Sequence, residues 1–153
     1  MRLAETAQLL YILKPGDAEA GATGESINMG LLRRVAYLLQ FATVTGDALL
    51  TVKSGATDGV QTTSETFRYR LADAAQGSAT ADTFGDWATS SSLTLTAATY
   101  ANKLLVVEID SRALTQGQPW LTLALSNAAS ALNVSIVAVA ERRYDANDSP
   151  TAI

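Results

Sequence analysis

The sequence predicts an all-β protein, an antiparallel β-sandwich of jelly-roll-like type with about eight or nine short strands and extended terminal arms. Apolar residues alternate with polar residues in many short runs, which is the period of a strand. Clusters of Gly, Ser, Asp and Asn separate these runs and favour turns. Only 17% of the residues are charged, whereas the outer faces of a helical bundle normally carry more Glu and Lys.

The alternation locates the candidate strands along the chain. It is clearest in "KLLVVEID", where Leu105, Val107 and Ile109 share one face. In the last run, Val137 and Val139 lie on the reverse of an equally apolar face, which predicts a central strand covered on both sides. The candidate strands are residues 7–13, 33–42, 48–54, 64–72, 82–88, 92–97, 103–110, 118–126 and 133–142.

Two segments have a helical alternative. Apolar residues in "GLLRRVAYLLQFA" fit one face of a helix as well as a strand, so residues 31–41 are open between the two. The short spacing to the "TGD" turn favours the strand. In "SRALTQG", Ser111 is a candidate N-cap and Gly117 a candidate terminator of one helical turn.

The length of 153 residues indicates a single domain spanning residues 1–153. The segment "KPGDAEAGATGES" at 14–26 is poor in large apolar groups, and this predicts a long flexible loop that detaches the first strand from the body. We therefore expect residues 1–28 to form an N-terminal arm and loop. Residues 145–153 are expected to form a C-terminal tail, because the buried alternation ends near Ala140.

Composition excludes several kinds of chemistry. The chain has no histidine and no cysteine, so histidine-dependent triads, histidine zinc sites and cysteine nucleophiles are impossible. Asp82 and Asp86 beside Trp87 resemble a glycosidase pair, but turn chemistry explains them as well. We expect no enzymatic activity, no cofactor and no metal.

Charge and hydropathy also limit the partners. The formal charge of −4 is scattered along the chain, and phosphate binding needs a basic stripe, so nucleic acid is not expected. The longest apolar stretch, "IVAVA", is far shorter than a membrane helix, so no membrane partner is expected.

Two arginine doublets and the aromatic residues are candidate interaction sites. The doublets Arg33-Arg34 and Arg142-Arg143 stand at strand ends, where they either discourage strand addition or anchor the chain to an acidic protein surface. Trp87, Trp120 and the tyrosines either form a carbohydrate platform or belong to the core.

Seven stretches of the chain together carry a family resemblance: "PGDAEAGATGESINM", "RRVAYLLQFATVTGDALLTVKSGATDG", "FRYRLADA", "KLLVVEIDSRAL", "PWLTLALSNA", "SIVAVAERRYD" and the terminal "SPTAI". Through them the chain resembles the head decoration (cement) proteins and other small structural virion proteins of tailed bacteriophages. The resemblance covers nearly the full length, and it is most specific in "VVEIDSRAL" and in the close of the chain.

This resemblance implies a structural role without an active site. It implies binding to the major capsid protein on the outer surface of an icosahedral head, stabilisation of the shell, assembly in the host cytoplasm and a homo-oligomer, with a trimer favoured. The alternative is a carbohydrate- or receptor-binding module of a phage fibre or tail. The candidate capsid or inter-subunit contacts are Leu9, Tyr11, Leu13, Arg33, Arg34, Arg142, Arg143, Tyr144 and Ile153.

Overall fold

The structure is a computed structural model that describes residues 7–143. Within this range, the chain forms two antiparallel sheets of six strands each, which confirms the predicted all-β sandwich. The strands are β1 (Gln8–Asp17), β2 (Ala22–Thr23), β3 (Ile27–Asn28), β4 (Leu32–Val44), β5 (Ala48–Gly55), β6 (Thr63–Ser64), β7 (Phe67–Leu71), β8 (Ala88–Ser90), β9 (Ser92–Leu95), β10 (Leu104–Asp110), β11 (Trp120–Leu125) and β12 (Leu132–Arg142). A short helix α1 (Ala97–Tyr100) precedes β10, and a 3-10 helix (Ser111–Ala113) follows it.

The strand order is that of a jelly roll. Sheet A has the order β1-β12-β4-β10-β7-β8, and sheet B has β11 and β5 at its centre. In sheet B, β2 and β3 both pair with β11, while β6 and β9 both pair with β5. Because the chain passes repeatedly from one sheet to the other, strands distant in sequence become neighbours, as β1 and β12 do.

The core lies between the two sheets and is built from the inward residues of each strand. On β4, Val35, Tyr37 and Leu39 are fully buried and alternate with partly exposed residues. On β11 of the facing sheet, Leu121 and Leu123 are also fully buried. The period-two pattern of the sequence therefore corresponds directly to one buried and one outward face, and residues 33–42 are confirmed as strand.

The last strand differs in one respect from its prediction. β12 is central in sheet A, between β1 and β4, as expected. Its reverse face, which includes Val137 and Val139, is only partly buried, so the expected cover on both sides is wrong. The reason is that this face points away from sheet B, towards the outside of the sandwich.

The N-terminal segment is more ordered than its composition predicts. β1 continues through Pro15 to Asp17, and β2 lies inside the segment 14–26, so the prediction of one long loop is wrong. The pairing of Leu10 with Ala138 makes the first strand a member of sheet A and not a detached element. Proline is tolerated there because β1 is an edge strand, where one row of backbone donors needs no partner in the sheet.

Three other boundaries differ from the predictions. The predicted strand 82–88 is largely absent: Phe84 forms only an isolated bridge with Ala72, and β8 begins at Ala88, the last residue of the predicted range. The predicted strand 64–72 is divided into β6 and β7. The 3-10 helix is capped by Asp110, which accepts a hydrogen bond from the Arg112 backbone N–H, and not by Ser111.

A buried carboxylate separates β6 from β7. Glu65 is only 5% exposed, and its Oε1 accepts hydrogen bonds from Ser54 Oγ at 2.5 Å and from the Thr115 backbone N–H at 2.9 Å. A buried carboxylate requires such donors to offset its lost hydration. Glu65 thereby ties β5 to the connection that precedes β11.

We predict that Tyr37→Phe leaves the protein as stable or raises its free energy of unfolding by about 1 kcal/mol, because Tyr37 Oη is buried without a hydrogen-bond partner among residues 7–143. The same burial raises the pKa of Tyr37 well above its usual value. Urea unfolding of both proteins measures the difference.

Tyr37→Ala is the matched control, and it is expected to cost about 3 to 5 kcal/mol by opening a cavity. A loss of more than about 1 kcal/mol in Tyr37→Phe would show instead that the hydroxyl has a partner.

Candidate interaction surface

The outer face of sheet A carries a continuous row of apolar side chains. Cross-strand pairing aligns Tyr11 of β1 with Val137 of β12, and Val137 with Leu38 of β4. Leu38 is in turn paired with Val106 of β10. A second row runs beside the first and pairs Leu9, Val139 and Ala36 in the same way. We call these two rows the apolar face; its members are Leu9, Tyr11, Ala36, Leu38, Val106, Val137 and Val139.

The apolar face is most exposed at the β1 edge. Leu9 is 50% exposed and Tyr11 is 58% exposed, which makes Tyr11 the most exposed large hydrophobic residue of residues 7–143. Single exposed apolar residues are common, but contiguous apolar patches are typical of interaction sites. The partly exposed Val137, Val139 and Leu38 continue this patch across β12 and β4, and the buried Val106 extends the same row to β10.

At the opposite edge of the sheet, cations and aromatic rings stack on one another. The guanidinium carbons of Arg68 and Arg70, two positions apart on β7, lie 4.4 Å and 4.7 Å from the centroid of the Trp87 ring. Arg70 also lies 4.8 Å from the ring of Phe84. Trp87 is still 39% exposed, so it offers contact area to a partner.

The fold brings the two arginine doublets together. β4 begins where β12 ends, and Glu141 is paired with Arg34 while Arg142 is paired with Leu32. Arg33 Nη1 lies 3.2 Å from Glu141 Oε1, and Arg143 donates to Ser111 Oγ at 3.1 Å. Residues more than one hundred positions apart in sequence thus share one end of sheet A.

Further charged residues surround the doublets. Arg68 Nε donates to Glu108 Oε2 at 2.9 Å, and Glu108 lies one strand away from Ala36. A pocket of about 320 Å³ lies here, with Arg34, Arg68, Glu108 and Asp110 in its walls. We call this region the arginine end; its residues are Arg33, Arg34, Arg68, Arg112, Arg142 and Arg143, with Glu108, Asp110 and Glu141.

Asp110 is the carboxyl group most affected by its surroundings at the arginine end. Arg112 Nε and Nη2 each donate to it at 3.0 Å, and the Arg112 backbone N–H donates at 2.9 Å. These hydrogen bonds, first those of the side chain, lower the pKa of Asp110 to about 2. Asp110 therefore keeps its negative charge far into the acidic range.

The structure places the predicted contact residues as follows. Leu9 and Tyr11 point outwards from β1, but Leu13 packs against the core, because the strand has a register shift between Tyr11 and Leu13. The four doublet arginines lie together at the arginine end. Tyr144 and Ile153 lie outside the described residues.

Several residues of this surface were not predicted as contacts. Val137 and Val139 form a second apolar face in the sequence of the last strand, but the pattern predicts that this face is covered. Leu38, Val106 and Arg70 gave no signal of their own, because their grouping depends on which strands are neighbours.

Two observations concern other classes of site. Among residues 7–143, no group of three or more Asp or Glu side chains is arranged to hold a metal ion. In the same range, no helix is both long enough and apolar enough to cross a membrane.

The fold defines the chain as a jelly-roll β-sandwich with an apolar outer face. The structure of the SPBc2 prophage-derived protein YomS is similar to it, with a TM-score of 0.52 at 12% identity, over 87% of this chain and 92% of that one. This likeness shows a shared fold. No family model matches the chain, and no curated protein matches it significantly.

A second solved structure, that of infectious bursal disease virus Gx strain, has a TM-score of only 0.21 at 13% identity. That match covers 88% of this chain and 39% of the viral one, and so low a TM-score does not indicate a shared fold.

We predict that the Asp110 carboxyl titrates at about pH 2 in carboxyl-detected NMR, and that Arg112→Ala raises its pKa towards the ordinary 3.8. Because the folded pKa is lowered, the resulting stability is present above about pH 4 and is lost as the pH falls through about 2. The stability difference between parent and Arg112→Ala should therefore shrink as the pH falls through 2 and disappear below it, and it should be small at pH 7 because Arg112 is exposed.

Arg112→Lys is the control, since it keeps the charge but loses the paired hydrogen bonds. An unchanged Asp110 pKa in Arg112→Ala would contradict this account.

Proposed function

We propose that this protein is a structural virion protein that binds the outer surface of an icosahedral phage head and stabilises its shell. The observation that carries the proposal is the apolar face, which extends across four paired strands and is therefore held rigid by the sheet. A protein that reinforces a shell needs a rigid, repeated contact surface and no reactive group.

Two further observations support this proposal. The chain resembles phage head decoration proteins over nearly its full length, and the structurally similar YomS protein is prophage-derived. The proposed partner is the major capsid protein, the proposed location is the outer surface of the virion, and the proposed assembly is a trimer formed in the host cytoplasm. No cofactor takes part in this proposal.

In this arrangement, the apolar face lies against the shell. Leu9 and Tyr11 supply its most exposed area; full burial of an exposed Leu side chain contributes about 1.5 to 3 kcal/mol, and a half-exposed side chain such as Leu9 contributes a part of that. The shell would also be contacted by the terminal segments, which include Tyr144 and Ile153.

We predict that the purified protein co-sediments with expanded heads and raises the temperature at which they rupture. Leu9→Ser together with Tyr11→Ser should weaken head binding by about tenfold or more, because this pair removes the most exposed apolar area. Co-sedimentation at a series of protein concentrations measures the change.

Leu49→Ser is the matched control. Leu49 is 39% exposed, but it lies on β5 of sheet B, so its replacement should leave head binding unchanged. Indifference of the parent protein to heads would refute the function, and equal loss in both variants would refute the assignment of the surface.

A carbohydrate- or receptor-binding module of a fibre or tail is the second candidate function. The exposure of the Trp87 ring favours it, because sugar rings stack on exposed aromatic side chains. If this candidate is right, a glycan array gives a specific signal that Trp87→Ala abolishes.

Trp120→Phe is the control, because it removes the other indole of the protein and should leave the glycan signal unchanged. Glycan signals that survive Trp87→Ala, or that are absent in the parent, would exclude Trp87 as a sugar platform.

A further inference from the structure

Sheet A has opposite charges at its two ends. At the end away from the arginines, exposed carboxylates follow β1, β4 and β7. Asp17 is paired with Asn133 at the start of β12, and Asp47 lies in the turn between β4 and β5. We call this the carboxylate end; its acidic residues are Asp17, Glu19, Asp47, Asp73 and Asp82, and its basic residues are Lys14 and Lys103.

The two ends are too far apart to neutralise each other within one chain. Ten positions of β4 separate the Arg34–Glu141 pair from the Val44–Leu132 pair, which corresponds to about 33 Å. The screening length at physiological ionic strength is about 8 Å. Each end therefore presents its own charge to a partner.

The charges within the arginine end exclude some partners. Three of its arginines donate to Glu141, Glu108 and Asp110, so carboxylates stand among the cations. Such a mixed surface attracts a phosphate backbone less strongly than a purely basic stripe does. The arginine end is better matched to a protein surface with separate carboxylates, because each carboxylate can accept hydrogen bonds from a single arginine.

We propose that the arginine end of one copy binds the carboxylate end of a second copy of this chain. The same molecule supplies both signs of charge on exposed residues at opposite ends of one rigid sheet. This inference rests on the homo-oligomer of the proposed function, and it specifies which surfaces of two copies are in contact.

A contact of this kind is head-to-tail, and such contacts close into a ring when the rotation between copies permits it. Its geometry also leaves the apolar face free. The contact runs along the strand direction, whereas the apolar face points perpendicular to the sheet. A ring joined in this way can present the apolar faces of all its copies to one surface, which is what a trimer bound to a shell requires.

The test reverses the charge at each end. The first variant combines Arg33→Glu with Arg112→Glu, because these arginine side chains are 57% and 79% exposed. The second combines Asp47→Lys with Asp82→Lys, two exposed aspartates on different connections. The third carries all four changes. Asp58→Lys, at an exposed position between β5 and β6, is the control for an Asp→Lys substitution outside the carboxylate end.

Sedimentation velocity at low salt should show an oligomer for the parent and for Asp58→Lys. Each two-residue variant should associate about tenfold more weakly or worse, because like charges then meet at the contact. The four-residue variant should associate again, because its two ends are complementary with exchanged signs. In about 1 M salt, where the screening length is about 3 Å, association of the parent should weaken.

Three results would overturn the inference. The first is a parent protein that is monomeric at every salt concentration. The second is a four-residue variant that keeps the parent's circular dichroism spectrum but associates as weakly as the two-residue variants. The third is an association that persists in high salt but is lost when Leu9→Ser is combined with Tyr11→Ser. A monomeric parent that binds a labelled oligonucleotide through the arginine end would assign that end to nucleic acid instead. Co-sedimentation with heads separates the two proposals, since a monomer that still binds heads refutes only the contact between copies.

Discussion

Antiparallel pairing of β12 with β4 is the constraint on which the rest of the structure depends. It places the last strand at the centre of sheet A, so that β1 can add to one side of β12 while β10 adds to the far side of β4. The same register buries Ile136 beside Leu39 and turns Val137 and Leu38 outwards together. A shift of one residue would exchange the two faces, so the core and the apolar face are specified by a single register.

Most of the fold was predictable because alternation is a local property of the sequence. The errors occur where tertiary pairing overrides composition. The sequence around Pro15 is typical of a loop, yet these residues belong to the edge strand β1, which pairs with the central strand β12. Residues 82–88 look like a strand, but there the chain makes only one bridge, and Phe84 instead contacts the Arg70 guanidinium.

The interaction surface was predictable only in part, for a related reason. Leu9, Tyr11 and the arginine doublets are recognisable in the sequence because each differs from its neighbours within its own segment. Which of them share a surface depends on strand order, which a single sequence does not state. The stacking of Trp87 on Arg68 likewise requires β8 to pair with β7 across a connection of sixteen residues, for which the local sequence gives no direct signal.

The position of the arginines is not explained by the stability of the fold. In the Arg33–Glu141 and Arg112–Asp110 pairs the arginine side chains are exposed, and solvent screening leaves such surface pairs with little effect on stability. The core between the sheets supplies far more, since each fully buried Leu or Val side chain contributes about 1.5 to 3 kcal/mol. Charges that contribute little to folding still govern association, because they select the orientation in which two surfaces meet. In the arrangement that we propose, the apolar face and the charged ends have separable effects: the first supplies affinity for a surface, and the second determines how neighbouring copies are arranged on it.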